Sequence, residues 1–191
     1  MPGTLLAQGF RVTGSVVHVL APDTTPGAGV WAVLHQITDQ GGAAVDSSRT
    51  DAQGWYAVWA PARDSASVYV VSVTYAGIAY FSRPVRPFGR AEQTAEVLAV
   101  FDTSSTEPAI ALVQRHVIIR RPEDRGSRRV LELLVLANIG NRTRVAPDTS
   151  RPVWQGRLPR GATGFDVGES DVSNESVFRR GDAVAVAAPI P

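Results

Sequence analysis

The amino-acid sequence predicts an all-β protein built of two sandwich domains. Three observations carry that prediction. Runs rich in β-branched and aromatic residues recur along the chain. Turn signals separate them at intervals of roughly 8–12 residues, the spacing of a β-sandwich. No segment of the first half shows the apolar period of a helix. With 44% hydrophobic and 19% charged residues, the 191-residue chain is globular.

The first strand is Arg11 to Leu20, dense in valine. The stretch Ala21 to Gly27 follows, with Pro22 and Pro26, and reads as a turn. Val30 to Ile37 forms the second strand and Ala43 to Thr50 the third. Asp51-Ala52-Gln53-Gly54 is a compact turn whose glycine takes a positive φ. Trp55 to Trp59 is a short strand closed by Pro61. Ser67 to Tyr75 is the clearest strand, because nearly every residue favours the pleated conformation. Ala76-Gly77 turns the chain into Ile78 to Phe81. Glu92 to Phe101 completes a domain spanning residues 9–101.

Residues 102–108, small, polar and proline-ended, are expected to link it to a second domain at 109–191. There Ala109 to Arg120 and Val130 to Ile139 are long apolar runs around the hairpin loop Arg121 to Ser127. Four leucines between Arg129 and Asn138 would also suit a helix. Strand is preferred, because turns flank the segment closely. Trp154 to Leu158, Ala162 to Val167 and Ala183 to Ala188 read as further strands. Five or six strands fall short of the roughly seven of a sandwich. The second domain is therefore expected to be immunoglobulin-like, or else truncated or incomplete here.

Composition excludes several chemistries. All 19 basic residues are arginine; lysine and cysteine are both missing. Schiff-base catalysis, the Walker A loop, serine–lysine pairs and isopeptide crosslinks all need lysine. Disulfides, thiolate nucleophiles and cysteine-ligated metals need cysteine. A net charge of +1 argues against a dedicated nucleic-acid binder. No apolar run is long enough for a transmembrane helix. Met1 to Phe10 is not a complete signal peptide, although Leu5 to Gln8 could be the tail of one.

The first half resembles the carboxypeptidase regulatory-like domain, a transthyretin-like sandwich. The residues that carry the resemblance are Gly14-Ser15-Val16, Gly29-Val30, Thr50-Asp51-Ala52-Gln53-Gly54-Trp55-Tyr56, and Tyr69 to Val73 with Tyr75-Ala76-Gly77. The Thr-Asp-x-x-Gly-x-aromatic turn is the most specific: aspartate caps it, glycine supplies the left-handed residue and the aromatic returns to the core. Ser67 departs from the family's glycine, the loop Ala60 to Ala66 is extended, and Pro26 corresponds loosely to a common proline. The second half looks like the β-rich domain that follows such modules in bacterial envelope proteins. The resemblance implies a structural or binding role, an exported (periplasmic or cell-surface) location with the signal peptide missing here, and no catalysis.

His18, His35 and His116 sit inside strands, without the His-x-x-Glu of metallocarboxypeptidases or His-Glu-x-x-His. His18 and His35 would approach only if the first two strands pair. The transthyretin-like hydroxyisourate hydrolases end in Tyr-Arg-Gly-Ser, which this chain lacks. Asp166, Glu169, Asp171 and Glu175 read as a solvated acidic loop rather than a calcium site. Arg115, Arg120, Arg121, Arg125, Arg128 and Arg129 surround the second-domain hairpin, diluted by Glu123, Asp124 and Glu132. Arg180-Gly181-Asp182 reads as a turn, and the Asn141 and Asn174 sequons carry no argument in a bacterial protein. No catalytic, cofactor or metal site is expected.

The binding candidate is aromatic. Trp31, Trp55, Tyr56 and Trp59 fall in the first sandwich, and the period of two puts Trp55 and Trp59 on the face opposite Tyr56. One set fills the core; the other would form a platform for sugars or peptides. The expected function is a non-catalytic structural or interaction module with a protein or polysaccharide partner. The alternatives are a carbohydrate-binding module on this aromatic set, or an accessory domain of an enzyme whose catalytic domain is absent here.

Overall fold

A computed structural model describes residues 9–60, 67–88, 90–123, 126–148 and 150–191. The fold is all-β; among the described residues the one helical turn is a 3-10 turn at Asn174–Ser176. The chain divides into two compact units, Met1–Asp102 and Thr103–Pro191. Among the described residues no helix is long and apolar enough to cross a membrane. The expectations for Leu5 to Gln8, for residues 61–66 and for Asp124 and Arg125 lie outside the described residues.

The first unit is a two-layer sandwich. One sheet is organised around β1 (Phe10–Leu20). Along one side of β1 run β5 (Trp55–Ala60) and the edge strand β2 (Asp23–Pro26), both antiparallel. Along the other side run β8 (Glu92–Thr94) and β9 (Leu98–Phe101), both parallel. The second sheet is β4 (Gly41–Arg49), β3 (Trp31–Thr38), β6 (Val68–Tyr75) and β7 (Ile78–Phe81), in that order and antiparallel. Alternation decides the layers: Phe10, Val12 and Val16 of β1 point inward with Tyr56 and Val58 of β5, against Leu34, Tyr69, Val71 and Val73 of the opposing sheet. Burying such side chains contributes about 1.5–3 kcal/mol each, and this single core is what joins the two sheets.

Three expectations need correction here. Asp23–Pro26, read as turn, is a strand: its residues are all exposed at the sheet edge, where a proline removes no ladder bond that a neighbour needs. The single strand over Glu92 to Phe101 is two, because the chain between Thr94 and Leu98 has one residue more than the facing stretch of β1 from Thr13 to Val16. The first two long strands, β1 and β3, do not pair. They lie in opposite sheets, so His18 and His35 are not brought together.

The second unit carries three small sheets. Thr103–Ser104 (β10), inside the expected linker, pairs parallel with Thr143–Arg144 (β13). Ile110–Ile119 (β11) and Val130–Asn138 (β12) form a long antiparallel ribbon, which settles the leucine-rich segment as strand. Trp154–Arg157 (β14) and Val177–Arg180 (β15) flank the fully buried Ala183–Val186 (β16). A small core of Val153, Val186 and Ala188 packs with Leu136, Trp154 and Val177. Ala162 to Val167 is not a strand. The Arg179 guanidinium donates to the carbonyls of Ala162 at 2.9 Å and Thr163 at 3.3 Å, so a side chain satisfies backbone that a ladder would otherwise serve.

Candidate functional site

The candidate site grows out of the Thr50–Gly54 turn. Thr50 is buried; its hydroxyl donates to the carbonyl of Gly27 at 2.6 Å and accepts from the amide of Val30 at 2.9 Å. Asp51 caps the turn: its Oδ1 accepts from the amides of Gln53 at 2.9 Å and Trp55 at 2.8 Å. Gly54 has φ +81° and donates to the Asp51 carbonyl at 3.0 Å, while its own carbonyl accepts from Val16 at 2.8 Å. These bonds set the direction in which β5 leaves the turn. Tyr56 then enters the core and Trp55 is left on the outer face.

The four aromatic candidates do not share one surface. Tyr56 is 4% exposed and belongs to the core. Burial pushes its hydroxyl up to about 12. That hydroxyl lies over Gly14, where a Cβ would come within 2.3 Å of it, and it has no hydrogen-bond partner among the described residues. Trp31 is exposed on the other sheet's outer face, with the Arg49 guanidinium 5.1 Å above its ring. Trp55 and Trp59 are 53% and 54% exposed and share the outer face of the β1 sheet. They stand four positions apart along the strand, about 13 Å at ordinary strand rise.

The floor of this face is small and polar. Trp59 stands opposite Arg11, Ala57 opposite Thr13 and Trp55 opposite Ser15. The Arg11 guanidinium lies 5.7 Å from the Trp59 ring and pairs with Glu92 at 3.3 Å. The Thr13 hydroxyl is 3.3 Å from that of Thr94. The Trp59 amide donates to Asp46 at 2.7 Å. Beside Trp55 the face dips into an open cleft of about 310 Å³ lined by Ser15, Val17, Thr24, Thr25, Pro26 and Gln53. Thr24 and Pro26 pair with Val19 and Val17 on the outward side of β1, whereas Thr25 pairs with His18 on the other side, so the cleft offers one indole, the hydroxyls of Ser15 and Thr24 and one carboxamide, without a charged group.

The sequence missed this cleft. The sequence predicts the strand that carries Ser15 and Val17 but predicts turn for Thr24 to Pro26. Their strand is visible only once β1 supplies the partner.

The remaining candidates stay apart. His18 bonds Asp102 and Tyr75, each at 3.1 Å, and the Tyr75 hydroxyl donates to Asp102 at 2.9 Å. Burial and the Asp102 carboxylate both push the Tyr75 hydroxyl up. His35 bonds Ser72 at 2.8 Å. Among the described residues no three histidine or carboxylate groups are placed to hold a metal, Asp166, Glu169, Asp171 and Glu175 included. Gly181 of the Arg-Gly-Asp tripeptide has φ +59° and turns β15 into β16. No protein-family model matches the chain, and no curated protein matches it.

Proposed function

We propose that this chain is a non-catalytic interaction module of an exported bacterial envelope protein. On this reading its first unit is a carboxypeptidase regulatory-like, transthyretin-like sandwich that binds a neutral carbohydrate on the Trp55 face. The observation that carries the ligand is Trp55 walling an open cleft of hydroxyls and a carboxamide. A sugar ring offers an apolar C–H face for an indole and hydroxyls for Ser15, Thr24 and Gln53. The open sheet face suits an extended polymer better than a small substrate that has to be enclosed. The envelope assignment rests on the sequence resemblance, and fractionation of the source cells, with the chain recovered in the envelope, tests it.

The ligand test is a titration of the chain with neutral oligosaccharides, following tryptophan emission. Saturable change is expected, lost in Trp55→Ala and kept in Trp31→Ala, whose ring is on the other sheet. Equal binding by Trp55→Ala, or no response to any neutral glycan, would remove the carbohydrate reading.

A further inference from the structure

The β11–β12 ribbon has the composition of a core and the exposure of a surface. β11 pairs with β12 alone, and the ribbon's outer two-thirds is open on both faces. A two-stranded ribbon is marginal in water by itself. One face carries Val117, Ile119 and Val130; the other carries Ile118, Leu131 and Leu133, and all six are between 41% and 62% exposed. Together with three further aliphatic residues of these strands, they present on the order of 800 Å², the share that each partner of a standard-size interface buries.

We propose that this ribbon is a self-association arm, covered by a second copy of the chain. Charge placement selects that occupant. On the face of Ile118, Leu131 and Leu133 the cross-strand pairs are Ile118 with Leu131, His116 with Leu133, and Gln114 with Val135. None carries a carboxylate or guanidinium, and Gln114 bonds His116 within the face. Two copies of this face meet without burying a carboxylate or a guanidinium, and no such group on it calls for a partner of opposite charge. On the other face Arg115 is already neutralised: one guanidinium nitrogen donates to both Glu132 oxygens at 2.9 Å. Arg120, Arg121 and Arg128, with no ion-pair partner among the described residues, flank the tip of the ribbon. A two-fold, antiparallel arrangement puts the two tips at opposite ends, so like charges stay apart. The same tip argues against a lipid occupant, since insertion would carry the arginines in first.

The test uses the full 191-residue chain. Light scattering at tens of micromolar should give twice the 20.4 kDa chain mass. Leu131→Glu with Leu133→Glu should halve it while leaving the emission of the first unit's tryptophans unchanged. Because the chain has no cysteine, Leu133→Cys places one thiol at the middle of the proposed two-fold contact. It should form a disulfide dimer on mild oxidation, whereas Gln40→Cys in the first unit should not. A monomeric mass at 100 μM would overturn the proposal, as would Leu133→Cys crosslinking no better than the control. Vesicles of neutral and of anionic lipid make the third arm: a monomer that binds either through the ribbon overturns it in favour of a membrane.

Discussion

Gly54→Ala is expected to cost more than Gly29→Ala, and the difference isolates a contact from a conformational preference. Both glycines have positive φ, +81° and +72°. An L residue in that region costs about 1–2 kcal/mol, offset in both cases by the unfolded-chain entropy that alanine removes. At Gly29 a new Cβ meets nothing within 4 Å. At Gly54 it would stand 2.4 Å from the Val16 carbonyl oxygen and 3.1 Å from the Gly27 amide nitrogen. That oxygen is held, because it accepts from the Gly27 amide at 2.9 Å. Relief requires moving β1 or breaking that bond, which costs about another 1–2 kcal/mol. For a unit of this size the gap is a Tm difference of roughly 5–15 °C. Thermal unfolding of the full chain in a Trp154→Phe background measures it, since the remaining three tryptophans all lie in the first unit. Equal destabilisation by the two substitutions would refute the close-approach argument and leave only the backbone preference.

Tyr56→Phe removes a buried hydroxyl that has no partner, so it should be neutral or stabilising by up to about 1 kcal/mol in urea unfolding. The wild-type Tyr56 should not ionise below about 12 in an ultraviolet pH titration. Ala76 has φ +48° beside Gly77 at +79° in the two-residue turn from β6 to β7, so Ala76→Asn should stabilise by a few tenths to about 1 kcal/mol. Asp148 accepts from the Ser150 hydroxyl, the Arg151 guanidinium and the Ser150 amide, which lower its carboxyl to about 2. A lowered folded-state value stabilises above the ordinary 3.8 and is lost as pH falls through about 2. Ser150→Ala should move the NMR midpoint back upward.

The first sandwich was legible because its strands announce themselves locally. Alternation in Phe10 to Val16 and in Trp55 to Ala60 assigns the inner face without any partner, and it correctly separates Tyr56 from Trp55 and Trp59. What failed needed a partner to be seen. Thr24-Thr25 has β-branched side chains but is too short, between Pro22 and Pro26, to read as a strand, and it is extended because Val17 to Val19 offer a free edge. Thr103–Ser104 and Thr143–Arg144 are too short for any period. Val177–Arg180 carries two arginines among its four residues, and becomes strand by pairing with the buried Ala183–Val186.

The binding face shows the same division at the level of chemistry. The sequence places Trp31, Trp55, Tyr56 and Trp59 in one sandwich, and its period of two separates Tyr56 from Trp55 and Trp59 but says nothing of Trp31. The pleat and the two sheets regroup them by direction: one in the core, one on the far sheet, two on a common face. Arginine then differentiates the exposed three, because Arg49 covers Trp31 and Arg11 approaches Trp59. A guanidinium on an indole competes with a sugar for the same π surface. Replacing Arg11 by methionine should therefore free the Trp59 ring and extend the site from Trp55 across the Thr13–Ala57 floor. Longer oligosaccharides should gain affinity in Arg11→Met while short ones do not. If short and long ligands respond alike, Trp59 is a packing residue and the site is confined to the Trp55 cleft.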